Sequence, residues 1–210
     1  MDTLVLSTSA WVPFHEQWLK EDPDYPVKDR TGDKWAAEAA IRGAGFKYYT
    51  IFRPPWLVHN YAAPINAFHF PQFATIGELH TPINVDQPIA HLDAYDIGRF
   101  AAAALLDPAR FTGQELSLAV GNFSIREAAR ELEAVIGSKI PVVQLDAVDF
   151  IGDESNLMNR VRGGSAKWTN EKGIFLTEEQ IKLQNSFGIE LTTLRAAFER
   201  NKSALPVKST

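Results

Sequence analysis

Three clusters of side chains in this 210-residue sequence have the types and positions to do chemistry. Ser7, Thr8 and Ser9 close a short β-branched and apolar run, Thr3-Leu4-Val5-Leu6. Ligands of open parallel sheets bind beyond the carboxyl ends of strands, so hydroxyls there could face one. Hydroxyls that satisfy the backbone at a strand end fit the same pattern. Lys34 lies near the start of an alanine-rich stretch, and on the residues alone its spacing favours a solvated lysine pairing with Glu38 one turn on, worth about 0.2–0.5 kcal/mol. Arg53-Pro54-Pro55-Trp56 follows a β-branched and aromatic segment. Two prolines make a rigid turn on which a flat ligand could rest, or they simply end the strand.

Other chemistries find little support. The five histidines, His15, His59, His69, His80 and His91, stand at least ten residues apart, and there is no cysteine, so no metal site is expected. No Gly-x-Ser-x-Gly elbow is present for a serine hydrolase. Gly43-Ala44-Gly45 follows a helical stretch and precedes a strand, the reverse of a dinucleotide fingerprint. Gly163-Gly164-Ser165-Ala166-Lys167 lacks the ending of a phosphate loop. A net charge of -5 without a Lys/Arg stripe argues against nucleic acid. The longest apolar run, Phe100 to Leu106, is far short of the ~20 residues of a membrane span. Absence of cysteine and of a basic leader before Asp2-Thr3-Leu4 suits a reducing compartment, so a cytoplasmic or nuclear protein is expected.

The elements that must position these clusters are read from periodicity. A strand at 3–7, a helix from Thr31 to Arg42 stopped by Gly43 and Gly45, and a strand at Lys47 to Phe52 make a βαβ crossover and hence a parallel pair. A short helix near Leu57 to Ala63, a small strand near Ala74 to Ile76 and another at Ala90 to Leu92 are expected in the proline-rich middle. Ile97, Phe100, Ala101, Ala104 and Leu105 recur at helical spacing over 94–106. Further strands are expected at 115–120 and 140–145, giving four parallel strands in all. Ser124-x-x-Glu127 is a capping box that opens a helix over 124–136, closed by Gly137. Residues 146–176 are mostly polar and read as a loop or lid. Thr177-x-x-Gln180 is a second capping box, Leu191, Leu194 and Phe198 give a last helix, and the tail from Asn201 should fray.

The ordered set of Lys34-Trp35-Ala36-Ala37-Glu38, Gly43-Ala44-Gly45-Phe46, Tyr49-Thr50-Ile51-Phe52-Arg53-Pro54-Pro55-Trp56 and Asn60-Tyr61 resembles the NmrA-like family, atypical short-chain dehydrogenase/reductases. Asp93-Ala94-Tyr95-Asp96-Ile97-Gly98-Arg99, Leu106-Asp107-Pro108, Phe111-Thr112-Gly113 and Ser124-x-x-Glu127 extend the resemblance over residues 1–145, with 146–210 as a looser substrate-side region. It implies an α/β fold: the C-terminal half of a Rossmann-type doubly wound parallel sheet plus a smaller, mainly helical region. It also implies an NADP- or NAD-dependent oxidoreductase acting on a small organic carbonyl or enone. Lys34 would then be the active-site lysine beside the nicotinamide ribose, with Ser7 and Ser9 as catalytic hydroxyls. Ser7, Thr8, Lys34, Pro54, Pro55 and Trp56 would meet the cofactor, and the Asp96 region would cap a helix.

Two departures qualify these implications. The tyrosine that such reductases carry four residues before the lysine is Arg30 here, which cannot release a proton near neutrality; Tyr25 is off that register. The glycine-rich fingerprint of the fold's first half is also missing. A shortened chain, weak NADP or NAD binding by this chain alone, and self-association through an exposed strand 3–7 edge are therefore expected. The alternatives are a non-catalytic NAD(P)-sensing regulator, or an inactive fragment acting only through protein partners.

Overall fold

The computed structural model describes residues 2–25, 27–151 and 157–206. Pro26, residues 152–156 of the expected lid and residues 207–210 of the tail lie outside them.

The chain opens with β1 (Thr3–Ser7), passes a 3-10 turn and α1 (His15–Glu21), and crosses through α2 (Lys28–Gly43) to β2 (Tyr48–Arg53). The two strands pair in parallel, with Thr3 opposite Tyr48 and Ser7 opposite Phe52. This is the expected crossover, and α2 ends where Gly45 takes a left-handed φ of 73° that other residues adopt at a cost. Next come β3 (Trp56–Leu57), α3 (Asn66–His69), α4 (Pro71–Ile76), β4 (Leu79–Thr81) and β5 (Ile89–Leu92). They lead into α5 (Ala94–Leu106), α6 (Pro108–Phe111), β6 (Gln114–Ser117) and β7 (Gly121–Phe123). The rest is α7 (Ile125–Ile136), β8 (Val142–Gln144), α8 (Ala147–Ile151), α9 (Leu157–Lys172), α10 (Glu178–Asn185) and α11 (Leu194–Arg200).

The main sheet has the order β1-β2-β6, all parallel. A second sheet, β3-β5-β7, and a parallel pair, β4-β8, stand apart from it. The fold is thus Rossmann-type α/β, with one correction. The strand expected at 140–145 pairs with Leu79–Thr81 and does not join the main sheet, because its partner was chosen by distant packing, which periodicity does not encode.

Local signals explain where the helices start. Asp93 caps α5 by accepting from the Tyr95 N–H at 3.0 Å. Ser124 and Glu127 exchange the two hydrogen bonds of a capping box at the start of α7, and Gly137 closes that helix at a φ of 81°. The Asp96 region thus caps α5 through Asp93, as the resemblance implies, while Asp96 itself accepts from the Thr192 N–H and hydroxyl at 2.8 and 3.0 Å and fastens the 192 loop to α5. Phe52 and Phe100 meet edge-on inside one buried cluster with Leu92, Leu116 and Phe187. A larger cluster joins Tyr61, Phe70, Leu79, Ile125 and Leu132 to Leu194 and Phe198, so residues on both sides of position 145 share it.

Three further expectations are overturned. Residues 71–76 are helical where a small strand was expected at 74–76: Pro71 suits a first helical turn, Gly77 a left-handed end, and Phe73 is driven into the core. The polar stretch 146–176 is largely helical, and α9 runs through Gly163 and Gly164. Two glycines weaken a helix by about 1 kcal/mol each, but Ala166, Trp168 and Thr169 are buried on the body of the protein, and that packing prevails. The tail does not fray at 201: residues 202–204 form a 3-10 turn, Leu205 is buried, and the Ala204 carbonyl accepts from Ala63 at 2.8 Å.

Candidate functional site

A cleft of about 190 Å³ opens beyond the carboxyl ends of β1, β2 and β4. Ser9 and Trp11 enter it from the segment after β1, Pro55 and Trp56 from the turn after β2, and Ile83 from beyond β4. Lys34 and Arg30 reach it from α2, His69 from α3, and Arg162 with Ser165 from α9. Of the residues singled out in the sequence, the structure brings together Ser9, Lys34, Pro55 and Trp56. Ser7 is exposed on β1 and, like Thr8 and Pro54, does not line the cleft.

Lys34 is not the solvated partner of Glu38 that its spacing allowed. It is half-buried, and its Nζ donates to the Thr8 carbonyl at 2.9 Å. Glu38 is fully buried and committed elsewhere. It accepts the Thr8 hydroxyl at 2.6 Å, Arg53 through Nε at 3.0 Å and Nη2 at 2.6 Å, and Arg42 at 2.8 Å. Glu115 on β6 completes the network by accepting from both arginines. A buried carboxylate is tolerated only with such pairing, and the network ties α2 to all three strands of the main sheet. It therefore fixes the helix that presents Lys34.

Desolvation in the cleft lowers the Lys34 pKa, and the charge of Arg30 lowers it further. A lysine shifted this way releases its proton more readily than a free one. His69 is held neutral, its pKa lowered to about 4 by burial and by Arg162 and Arg30. Tyr25 cannot stand in for the absent tyrosine. It is fully buried, hydrogen-bonded to His15, stacked on Trp168 and absent from the cleft wall.

Sequence reasoning missed His69 and Arg162. Arg162 adjoins Gly163-Gly164 in a stretch expected to be a loop, and His69 lies among prolines where no period holds. No spacing rule links positions 34, 69 and 162.

A parallel sheet flanked by helices, with a cleft at its carboxyl edge, defines a Rossmann-type fold. The NmrA-like family model matches residues 11–197, and the chain belongs to that family. Solved structures agree in fold. A NADPH-dependent quinone oxidoreductase from Escherichia coli, complexed with NADPH, superposes with a TM-score of 0.67 at 19% identity, over 95% of this chain and 65% of that one. Triphenylmethane reductase from Citrobacter sp., complexed with NADP(H), gives 0.67 at 16% identity, over 98% and 66%. NmrA, a negative transcriptional regulator in complex with NADP, gives 0.60 at 16% identity, over 98% and 61%. This chain thus spans about two thirds of the length of these structures. A search of curated proteins finds none that matches.

The fold implies a nicotinamide dinucleotide, and the residues present fit its reactive end. Among the described residues, Lys34, Pro55 and Trp56 converge on a cleft that no carboxylate lines. Among the described residues, the turns after β1 and β2 carry no glycine with which to cradle a pyrophosphate. No described helix is long and apolar enough to cross a membrane.

Proposed function

We propose that this chain serves an NAD(P)-dependent oxidoreductase that reduces a small organic carbonyl or enone in the Lys34 cleft. The observation that carries this reading is the half-buried lysine with a lowered pKa at the carboxyl edge of a parallel sheet. A bound NADPH or NADH would supply the hydride. In this reading Lys34 gives a proton to the substrate oxygen, the role that the missing tyrosine would otherwise have. Ser9, whose Oγ accepts only a long 3.4 Å bond from the Trp11 N–H, keeps its own O–H free to steady a developing oxyanion. Pro55 and Trp56 form the flat wall. Residues 1–145 then carry the cofactor side, and α9 from 146–210 closes the substrate side. Without a glycine-rich turn, this chain by itself would hold NADP or NAD only weakly, with affinity in the millimolar range.

NADPH oxidation in the presence of small enones and quinones tests the proposal. Lys34→Ala should lower turnover by about tenfold or more, as for loss of a general acid. Unchanged kinetics in that variant would remove Lys34 from the chemistry. Arg30 in the tyrosine position favours a second reading, an NAD(P)-sensing regulator. Saturable NADPH binding with no turnover of any carbonyl would select it.

A further inference from the structure

Among the described residues, the cleft carries three cationic side chains and no anionic one: Lys34, Arg30 and Arg162 line it, and no Asp or Glu does. Lys34 donates to a backbone carbonyl, and Arg162 donates to the His69 carbonyl at 3.1 Å and to Asn159 Oδ1 at 3.4 Å. The Arg162 guanidinium also lies 4.9 Å from the centre of the Phe150 ring. Among the described residues none of the three forms an ion pair. Glu38, one turn from Lys34, is saturated by Thr8, Arg42 and Arg53, and His69 adds no negative charge.

Such an arrangement is costly in a protein whose net charge is -5. Like charges gathered in a partly desolvated cleft repel one another, and an anion would offset that repulsion. The guanidinium is the side chain best shaped for a carboxylate, which it grips with two parallel N–H bonds. The walls add a second requirement. Trp11, Trp56 and Phe68 present flat apolar surface, and among the described residues the buried Trp11 indole N–H has no acceptor. A cavity of about 190 Å³ is smaller than the roughly 300–1,000 Å³ of pockets for drug-sized ligands, so beside a nicotinamide there is room for one small ring only.

We infer that the cleft takes a planar, single-ring molecule bearing one carboxylate, with Arg162 and Arg30 on the carboxylate and the ring against Trp11 and Phe68, which leaves Trp56 to the cofactor. The inference rests on the Lys34 cleft being the substrate site proposed above, and it narrows the substrate to an aromatic acid that also bears the reducible carbonyl or alkene.

The test is a titration of intrinsic tryptophan fluorescence of the full 210-residue chain, without NADPH, by cinnamate and by its neutral amide. Cinnamate should bind about tenfold more tightly than the amide, the value of one charge-assisted hydrogen bond. Arg162→Gln and the exposed Arg30→Gln should each erase most of that preference while leaving amide binding as it was. The wild-type comparison needs no substitution and stands even if Arg162→Gln fails to fold. Equal affinities for acid and amide would overturn the inference, as would inorganic phosphate binding more tightly than cinnamate, which would assign the cations to a phosphate. A separate NADPH-oxidation assay keeps the two readings apart. Acid preference without turnover of any enone would retire the oxidoreductase reading and keep the ligand class, and turnover of neutral enones without acid preference would do the reverse.

Discussion

Lys34 and Thr8 are joined through the backbone: the lysine Nζ donates to the Thr8 carbonyl at 2.9 Å, while the Thr8 hydroxyl turns the other way to Glu38 at 2.6 Å. One residue at the end of β1 thereby connects the cleft cation to the buried ion-pair network. Thr8 does not line the cleft and meets it only through Lys34.

Thr8→Val keeps the carbonyl and removes the hydroxyl. Glu38 then loses one donor while buried, and stability should fall by about 1–3 kcal/mol. Urea unfolding measures this. Turnover should fall less than in Lys34→Ala, since the backbone acceptor remains.

The pH profile reports on Arg30. Its charge helps lower the Lys34 pKa, after desolvation. If protonated Lys34 is the proton donor, activity is lost as pH rises through that pKa. Arg30→Gln removes a repelling charge, so the pKa rises and the basic limb of the kcat profile moves to higher pH. A limb that stays in place would show that another group sets it.

Two histidines should make the fold sensitive to mild acid. His91 is fully buried between the Tyr61 hydroxyl, 3.0 Å from Nε2, and the Ile89 carbonyl, 2.8 Å from Nδ1. Burial lowers its pKa to about 4, as it does for His69. An unfolded histidine titrates near 6.5, so the unfolded chain binds more protons between those values. Their contribution is whole above pH 6.5 and is lost as pH falls toward 4. Unfolding free energies at pH 7 and pH 5 should differ by a few kcal/mol, and His69→Gln should remove a share of that difference.

Edge exposure of β1 predicts association. Among the described residues, β1 pairs only with β2, and Leu4, Val5 and Leu6 are half-buried along it. An open strand edge templates pairing with another copy, and a lysine on it discourages this. Light scattering should show concentration-dependent association, and less of it for Ser7→Lys. A monodisperse monomer at all concentrations would count against it.

What the sequence determined by itself is what lies within reach of a few residues. The crossover 3–53, the helices over 94–106 and 124–136 and their caps at Ser124 and Gly137 rest on local hydrogen bonds and on the 3.6-residue period, which neighbours along the chain dictate. Pro55 and Trp56 could be named because they follow the strand expected at 47–52, whereas Lys34, inside the crossover helix, is singled out by the family resemblance. Tertiary structure alone decided the remainder. The strand at 142–144 pairs with 79–81, and α9 forms across two glycines because Trp168 packs against Trp18 and Tyr25. Arg162 and His69, 128 and 35 residues from Lys34, share its cleft only through that packing. Burial between distant segments repays the weak local propensity of a Gly-Gly helix, and no local pattern records which distant segment supplies it.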